Sequence, residues 1–159
     1  SHGCPECHNR DLQHYNDNIS IKEGTDLKYI KDYKDLVILL RNIVIFYRTK
    51  NIILQGGDPF FEKNREIVID LLNHNRQYKE FNLCIYTGYS KADVILFGVN
   101  GGFEYIKCGL FMKELYQEPG KTDDKLVLAS KNQILYDKNW QQLSYEGVYN
   151  FYGTEQHNL

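Results

Sequence analysis

The chain has 159 residues, of which 42% are hydrophobic and 25% are charged, and its formal net charge is −2. These values are ordinary for one soluble globular domain, so we expect residues 1–159 to form a single domain. The charge offers no general attraction to nucleic acid or anionic lipid. No apolar run approaches the ~18 residues of a membrane span, and no secretory signal is visible. We therefore expect a cytoplasmic protein that binds neither nucleic acid nor membranes.

The N-terminal part of the chain predicts a loop followed by a helix. Residues 1–27 are polar and predict little regular structure. From Asp26 to Thr49, apolar residues recur at helical spacing, and Asp26 is the predicted N-cap. The apolar positions are Tyr29, Ile30, Tyr33, Val37, Leu40, Val44 and Tyr47.

The middle of the chain alternates short strand patterns with helix patterns. The sequences NIILQGG, NLCIYTGY and FEYIKCG each predict a strand that ends at glycine, the first of them buried. Asp58 and Pro59 predict the N-cap and first residue of a second helix. Ser90 and Asp93 predict a capping box at the start of a short third helix. The later sequence KLVLASKNQILYD is consistent with a hairpin.

This order of elements predicts an α/β fold with a parallel sheet. Alternating helices and strands form right-handed crossovers between parallel strands. Ligands of such sheets bind at the carboxyl ends of the strands. The sequences QGGDP and YTGY both follow predicted strands, so we expect them side by side at one edge of the sheet.

The four cysteines fall into two groups. Cys84 and Cys108 lie in apolar sequence and predict small buried side chains with reduced thiols. Cys4 and Cys7, followed by His8, allow four interpretations. A thioredoxin-type pair lacks the strand that should precede it. A haem-attachment CxxCH matches literally, but so short a pattern also occurs by chance. A zinc site needs a fourth ligand, and a CxxxCxxC iron–sulfur motif needs a cysteine directly before Ser1.

Five short sequences, taken in order, carry a family resemblance. GCPECHN is followed by LQGGDPFF, IYTGY, YIKCGLFMKEL and KNQILY. Together they resemble the activating proteins of anaerobic ribonucleoside-triphosphate reductase, which are small radical S-adenosylmethionine (SAM) enzymes. The resemblance spans roughly residues 3–136.

The resemblance implies the fold and the cofactors. The fold would be a small partial (β/α) barrel of the radical SAM type. Cys4 and Cys7 match the second and third of three cysteines that hold a [4Fe–4S] cluster. The position of the first cysteine falls directly before Ser1, and the family has a short strand upstream, so we expect both to be missing from this sequence. Glu6 departs from the glycine or aromatic residue usual before the third cysteine, which leaves an adenine contact there in doubt.

The resemblance also implies a SAM site. Gly56, Gly57, Asp58 and Pro59 match the segment that contacts the SAM amino group, although Asp58 also suits a helix cap. Four further residues match positions near the cofactor: Thr87, Gly88, His8 and Asn9. For these, an ordinary turn or a solvated loop is the competing interpretation.

The implied activity is that of an oxidoreductase which activates a glycyl-radical enzyme. It would cleave SAM reductively and generate a glycyl radical on the large subunit of the anaerobic reductase, with an electron donor such as flavodoxin. Two alternatives stay open. One is another small radical SAM enzyme, related to the pyruvate formate-lyase activase or to the deazapurine synthases. The other is a degenerate binding subunit that has lost its cluster.

Overall fold

The computed structural model describes residues 20–23, 26–55 and 57–152. These ranges contain three α-helices, nine strands and one 3₁₀ turn at Lys113–Leu115. The helices are α1 (Tyr33–Tyr47), α2 (Glu62–Tyr78) and α3 (Lys91–Leu96). The strands are β1 (Ser20–Glu23), β2 (Asp26–Tyr29), β3 (Asn51–Leu54), β4 (Asn82–Tyr86), β5 (Tyr105–Cys108), β6 (Gly120–Lys121), β7 (Lys125–Val127), β8 (Ile134–Asp137) and β9 (Val148–Asn150).

A four-stranded sheet forms the centre of the fold, in the order β3-β4-β5-β8. Strands β3, β4 and β5 are parallel, and β8 joins the edge antiparallel to β5. The parallel pairing of the three predicted strands is thereby confirmed. A partial barrel of the radical SAM type stays a prediction.

One face of this sheet carries the hydrophobic core. Leu83, Ile85 and Ile106 are fully buried there, and they share one cluster with apolar residues of all three helices. In α2 the residues of that cluster alternate with exposed, mostly polar positions, as expected for a helix that covers one face of a sheet, whereas α1 also exposes apolar side chains such as Ile45 and Phe46. Among the helices of the described ranges, none has both the length and the apolar character that crossing a bilayer requires.

The opposite face of the sheet is half exposed. Ile53, Cys84 and Tyr105 are cross-strand neighbours on this face, and so are Tyr86 and Lys107. Ile53 is 54% exposed and Tyr105 is 45% exposed. The prediction that β3 is buried is therefore wrong, since each of its residues is exposed or half-buried, and among the described strands β3 has a neighbour on one side only. We use the name open face for the five residues on this side of the sheet: Ile53, Cys84, Tyr86, Tyr105 and Lys107.

The first helix begins later than the sequence predicts. Asp32, not Asp26, is its N-cap, and the Asp32 side chain accepts hydrogen bonds from the backbone N–H groups of Lys34 and Asp35. Asp26–Tyr29 instead forms β2, which pairs antiparallel with Ser20–Glu23. Ser20–Glu23 therefore forms a strand, although the sequence predicts a loop there. Several aspartates in this segment can cap a helix, and the hairpin pairing determines which one does.

The predicted late hairpin is also wrong. β7 belongs to a separate three-stranded sheet, in the order β6-β7-β9, whereas β8 pairs with β5 of the central sheet. Ser130 lies between the two strands and is fully buried. Its hydroxyl hydrogen-bonds to both the N–H and the carbonyl of Met112, so the segment between β7 and β8 contacts another part of the chain.

Candidate functional site

Two loops that the sequence predicts to bind a ligand meet at the carboxyl edge of the sheet. Asp58 follows β3, and Thr87 and Gly88 follow β4. The Thr87 hydroxyl donates to the Asp58 carboxylate, with its Oγ1 2.8 Å from Oδ1 and 3.0 Å from Oδ2. The Gly88 N–H donates to Asp58 Oδ2 at 2.6 Å. The predicted side-by-side placement of the two loops is thus confirmed. We call this three-residue contact the Asp58 latch.

Asp58 is not the N-cap of α2. That helix begins at Glu62 with Phe61 in the N-cap position, so Pro59 is not its first residue either. Asp58 forms a turn instead: its Oδ1 accepts from the Phe60 N–H at 2.9 Å, and its carbonyl accepts from the Phe61 N–H at 3.0 Å. The prediction of a cap is wrong because the carboxylate is committed to the neighbouring loop, a contact between distant parts of the chain.

The latch is buried, which makes its hydrogen bonds important. Asp58 is 8% exposed and Thr87 is 1% exposed. Donors from Phe60, Thr87 and Gly88 surround the carboxylate, and charge-assisted hydrogen bonds are stronger than neutral ones. Removing the carboxylate would leave buried donors without this acceptor. Asp58 therefore fixes the relative position of two loops, whatever else it binds.

The glycine before Asp58 leaves space beside the backbone. A Cβ added at Gly57 would meet no described atom within 4 Å. A ligand atom can approach the backbone closely at such a position. Pro59, on the other side of Asp58, is buried. Gly56 lies outside the described residues. The described part of this segment therefore fits the SAM contact that the resemblance implies.

A third loop joins the same edge after β5. The Gly109 N–H donates to the Tyr89 carbonyl at 2.9 Å, which connects this loop to the one after β4. Asn132 Nδ2 donates to the Leu110 carbonyl at 2.8 Å, and Gln133 Nε2 donates to the Gly109 carbonyl at 3.3 Å. The adjacent Asn and Gln of KNQILY thus hold the loop that begins with the glycine of YIKCG.

Sequence reasoning missed the polar groups of the open face. Tyr86 and Lys107 lie at the carboxyl ends of β4 and β5, and Lys107 Nζ is 5.4 Å from the centroid of the Tyr86 ring. Burial raises the pKa of the Tyr86 hydroxyl, and the neighbouring Cys84 raises it further. Strand alternation is the signal that could have identified these residues. They line the face next to the three loops.

The two described cysteines do not fit as cluster ligands. Both are free thiols, and Cys108 is buried while Cys84 is half-buried. Burial raises the pKa of Cys84 to about 11 and that of Cys108 to about 12. Iron–sulfur clusters are held by thiolates, which these surroundings disfavour. Cys108 is a buried side chain, as the sequence predicts, whereas Cys84 is only half-buried, because it lies on the open face.

The predicted cluster ligands lie outside the described residues. This holds for Cys4 and Cys7, and equally for His8 and Asn9. Within the described ranges, no group of three or more His, Cys, Asp or Glu side chains could hold a metal ion. The roles of these four residues stay predictions.

Comparison with known proteins gives one result. A search of curated proteins found no significant match, and neither did a search of solved structures. The family model of the 4Fe-4S single cluster domain matches residues 1–136. Since this range covers most of the chain and includes the CPEC motif, the chain belongs to the family of 4Fe-4S single cluster domains.

Proposed function

We propose that this protein is a radical SAM oxidoreductase that activates anaerobic ribonucleoside-triphosphate reductase. It binds a [4Fe–4S] cluster and SAM, and it generates a glycyl radical on the large subunit of the reductase. We place this activity in the cytoplasm. The fold around the site is a small partial (β/α) barrel.

The observation that carries this proposal is the Asp58 latch. It joins the segment after β3 to the segment after β4, the two segments that resemble SAM-contacting motifs. A cluster-binding family alone is consistent with electron transfer. A cluster-binding family with both of these segments at one sheet edge favours SAM chemistry.

The chain offers distinct groups for the two cofactors. Cys4 and Cys7 supply thiolates to the cluster, and backbone groups at Gly56 and Gly57 receive the SAM amino group. A reduced cluster bound there would supply the electron for reductive cleavage of SAM, the chemistry by which a glycyl radical on the reductase would be generated. Asp58 keeps the two loops at a fixed separation and provides no electron or proton.

The open face gives the partner access to the site. Ile53 and Tyr105 are about half exposed, and Tyr86 and Lys107 lie closer to the loops. A flexible glycine loop of the reductase would have to reach the reacting carbon, so a face whose described residues are partly exposed suits this task. Flavodoxin or a similar donor would supply the electron that the cluster needs.

The test is anaerobic reconstitution with a matched pair of variants. A cysteine added directly before Ser1 completes the CxxxCxxC spacing with Cys4 and Cys7. We expect this protein to bind about four irons per chain, the content of one such cluster, and to form 5′-deoxyadenosine from SAM with reductant. The same protein carrying Cys7→Ala should do neither. Cys84→Ala is the control, because its thiol lies in the sheet.

The partner requires a second readout. Incubation with the anaerobic reductase subunit should produce the electron paramagnetic resonance doublet of a glycyl radical. A cluster that cleaves SAM without this signal favours another radical SAM enzyme. The absence of any cluster in the extended protein favours the degenerate binding subunit and contradicts the proposal.

A further inference from the structure

Three aromatic side chains form a cluster with the two loops that we propose to contact SAM, the loops after β3 and β4. Phe60 belongs to the loop after β3, Tyr89 to the loop after β4, and Phe97 caps the C-terminus of α3. The Tyr89 and Phe97 rings meet edge to face with centroids 5.1 Å apart, and Phe60 and Phe97 lie 6.5 Å apart. The two loops therefore pack against the same Phe97 ring, in addition to being joined by the Asp58 latch.

Arg65 connects all parts of this cluster. It lies in the first turn of α2, and its Nε–H donates to the Phe60 carbonyl at 3.0 Å. Its guanidinium carbon lies 3.7 Å from the centroid of the Phe97 ring and 5.7 Å from that of Tyr89. One side chain thus contacts the first loop by a hydrogen bond and the second loop by a cation–π interaction.

The chemistry of arginine suits this position better than that of an apolar residue. A planar guanidinium can stack on an aromatic ring while its edge donates hydrogen bonds. A methionine of similar length would fill the space but would leave the Phe60 carbonyl without this donor. A lysine would keep the charge and a donor but would lose the planar stack.

We propose that Arg65 is a positioning residue for the SAM site. This inference rests on the proposed function and adds a residue that no sequence motif identifies. Arg65 does not need to touch SAM. It holds the Phe60 turn against Tyr89 and Phe97, and it thereby keeps the Gly57 backbone and the Gly88 backbone at the separation that the ligand requires.

The first measurement needs no ligand. Amide hydrogen exchange of Gly88 reports how often the Asp58 latch opens, because the Gly88 N–H donates to Asp58. In R65M we expect this exchange to be about tenfold faster than in wild type, from the loss of one hydrogen bond and one cation–π contact. Unchanged exchange would overturn the inference.

The second measurement is SAM affinity, determined by equilibrium dialysis of radiolabelled SAM with the anaerobically reconstituted protein that carries the added cysteine. R65M should bind SAM about tenfold more weakly and R65K about threefold more weakly. R76M is the matched control, since Arg76 lies in the last turn of α2 and bonds to Asn100, away from both loops. It should leave the SAM dissociation constant unchanged.

The outcomes separate the inference from the proposed function. If R65M binds SAM as tightly as R76M does, Arg65 has only a structural role and the inference is overturned. If R65M does not fold, R65K decides in the same way, and affinity equal to wild type overturns the inference. A wild-type background that binds no SAM at all overturns the proposed function, and this inference with it.

Discussion

The carboxylate of Asp58 and the hydroxyl of Thr87 lie 2.8 Å apart although 29 positions separate them in the sequence. Each follows a parallel strand, and the pairing of β3 with β4 brings the two strand ends together. The contact joins the two loops at one edge of the sheet. The stability of this edge can therefore be tested separately from the SAM binding that we propose for it.

The Asp58 latch should contribute measurably to the free energy of unfolding. Asp58→Ala removes the acceptor of several buried donors, and we expect a loss of about 3 kcal/mol. Thr87→Val keeps the shape of the side chain but removes one donor, and we expect a loss of about 2 kcal/mol. Urea denaturation measures both values.

Two variants serve as controls for the latch. Thr87→Ser retains the hydroxyl and should recover part of the loss. Asp123→Ala removes an exposed carboxylate and should change the free energy of unfolding by less than about 0.5 kcal/mol. A Thr87→Val protein as stable as wild type would show that the hydrogen bond to Asp58 contributes nothing.

Local sequence signals predicted those parts of the fold that depend on neighbouring residues. The capping box of Ser90 and Asp93 is present at α3, with both of its reciprocal hydrogen bonds. The strand NLCIYTGY forms as β4, because β-branched and aromatic residues there end at a glycine turn. The juxtaposition of the two loops followed from the rule for parallel strands.

Local sequence signals were misleading where a contact with a distant part of the chain determines the structure. The Asp-Pro sequence at Asp58 predicts a helix N-cap. The Asp58 carboxylate instead accepts hydrogen bonds from Thr87 and Gly88. Asp26 reads as a cap too, yet its segment pairs as a strand. No local sequence pattern identifies Arg65, because its contact is with the ring of Phe97, which lies at the end of another helix. Contacts of this kind can be identified only from the tertiary structure.

The charge cluster between α1 and α2 should make stability depend on pH. Glu80 accepts two hydrogen bonds from Arg41, each at 2.7 Å, and a third contact from His74. Chiefly because of the Arg41 bonds, the pKa of Glu80 falls from its ordinary value of 4.5 to about 2. The contribution of the Glu80 carboxylate to the free energy of unfolding is therefore present above pH 4.5, and it is lost as the pH falls toward 2.

The variant Glu80→Gln tests this dependence. The Arg41 side chain is 52% exposed, so solvent screening limits the effect, and we expect a loss of about 1 kcal/mol at pH 7. The difference from wild type should shrink as the pH falls from 4.5 to 2. Glu66→Gln, an exposed change on α2, should show no such trend. A difference that stays constant with pH would contradict the assignment.

The two cysteines in the sheet should resist alkylation in the folded protein. Because burial raises the pKa of Cys84 to about 11, roughly one thiol in a thousand is ionised at pH 8. Cys108 is still less reactive, with a pKa of about 12. Iodoacetamide at pH 8 should label both only after denaturation in urea, as peptide mass spectrometry can show. Equal labelling rates in folded and unfolded protein would contradict the predicted burial.

Gly57 separates ligand binding from stability most directly. Its backbone φ lies outside the left-handed region, and an added Cβ would meet no described atom within 4 Å. Gly57→Ala should therefore change the free energy of unfolding by less than about 0.5 kcal/mol. If the SAM amino group contacts this backbone, the added methyl group should weaken SAM binding by about tenfold, the equivalent of one lost hydrogen bond.

Gly120→Ala is the matched control for Gly57→Ala. Gly120 also has open space for a Cβ, but it lies in β6 of the separate three-stranded sheet. Both variants should melt at temperatures close to wild type, whereas only Gly57→Ala should lose affinity in equilibrium dialysis with labelled SAM. Equal SAM affinity in the two variants would show that the ligand does not approach Gly57. If Gly57→Ala binds SAM more weakly but melts at an unchanged temperature, the loss of affinity comes from a contact at this backbone and not from destabilisation of the fold.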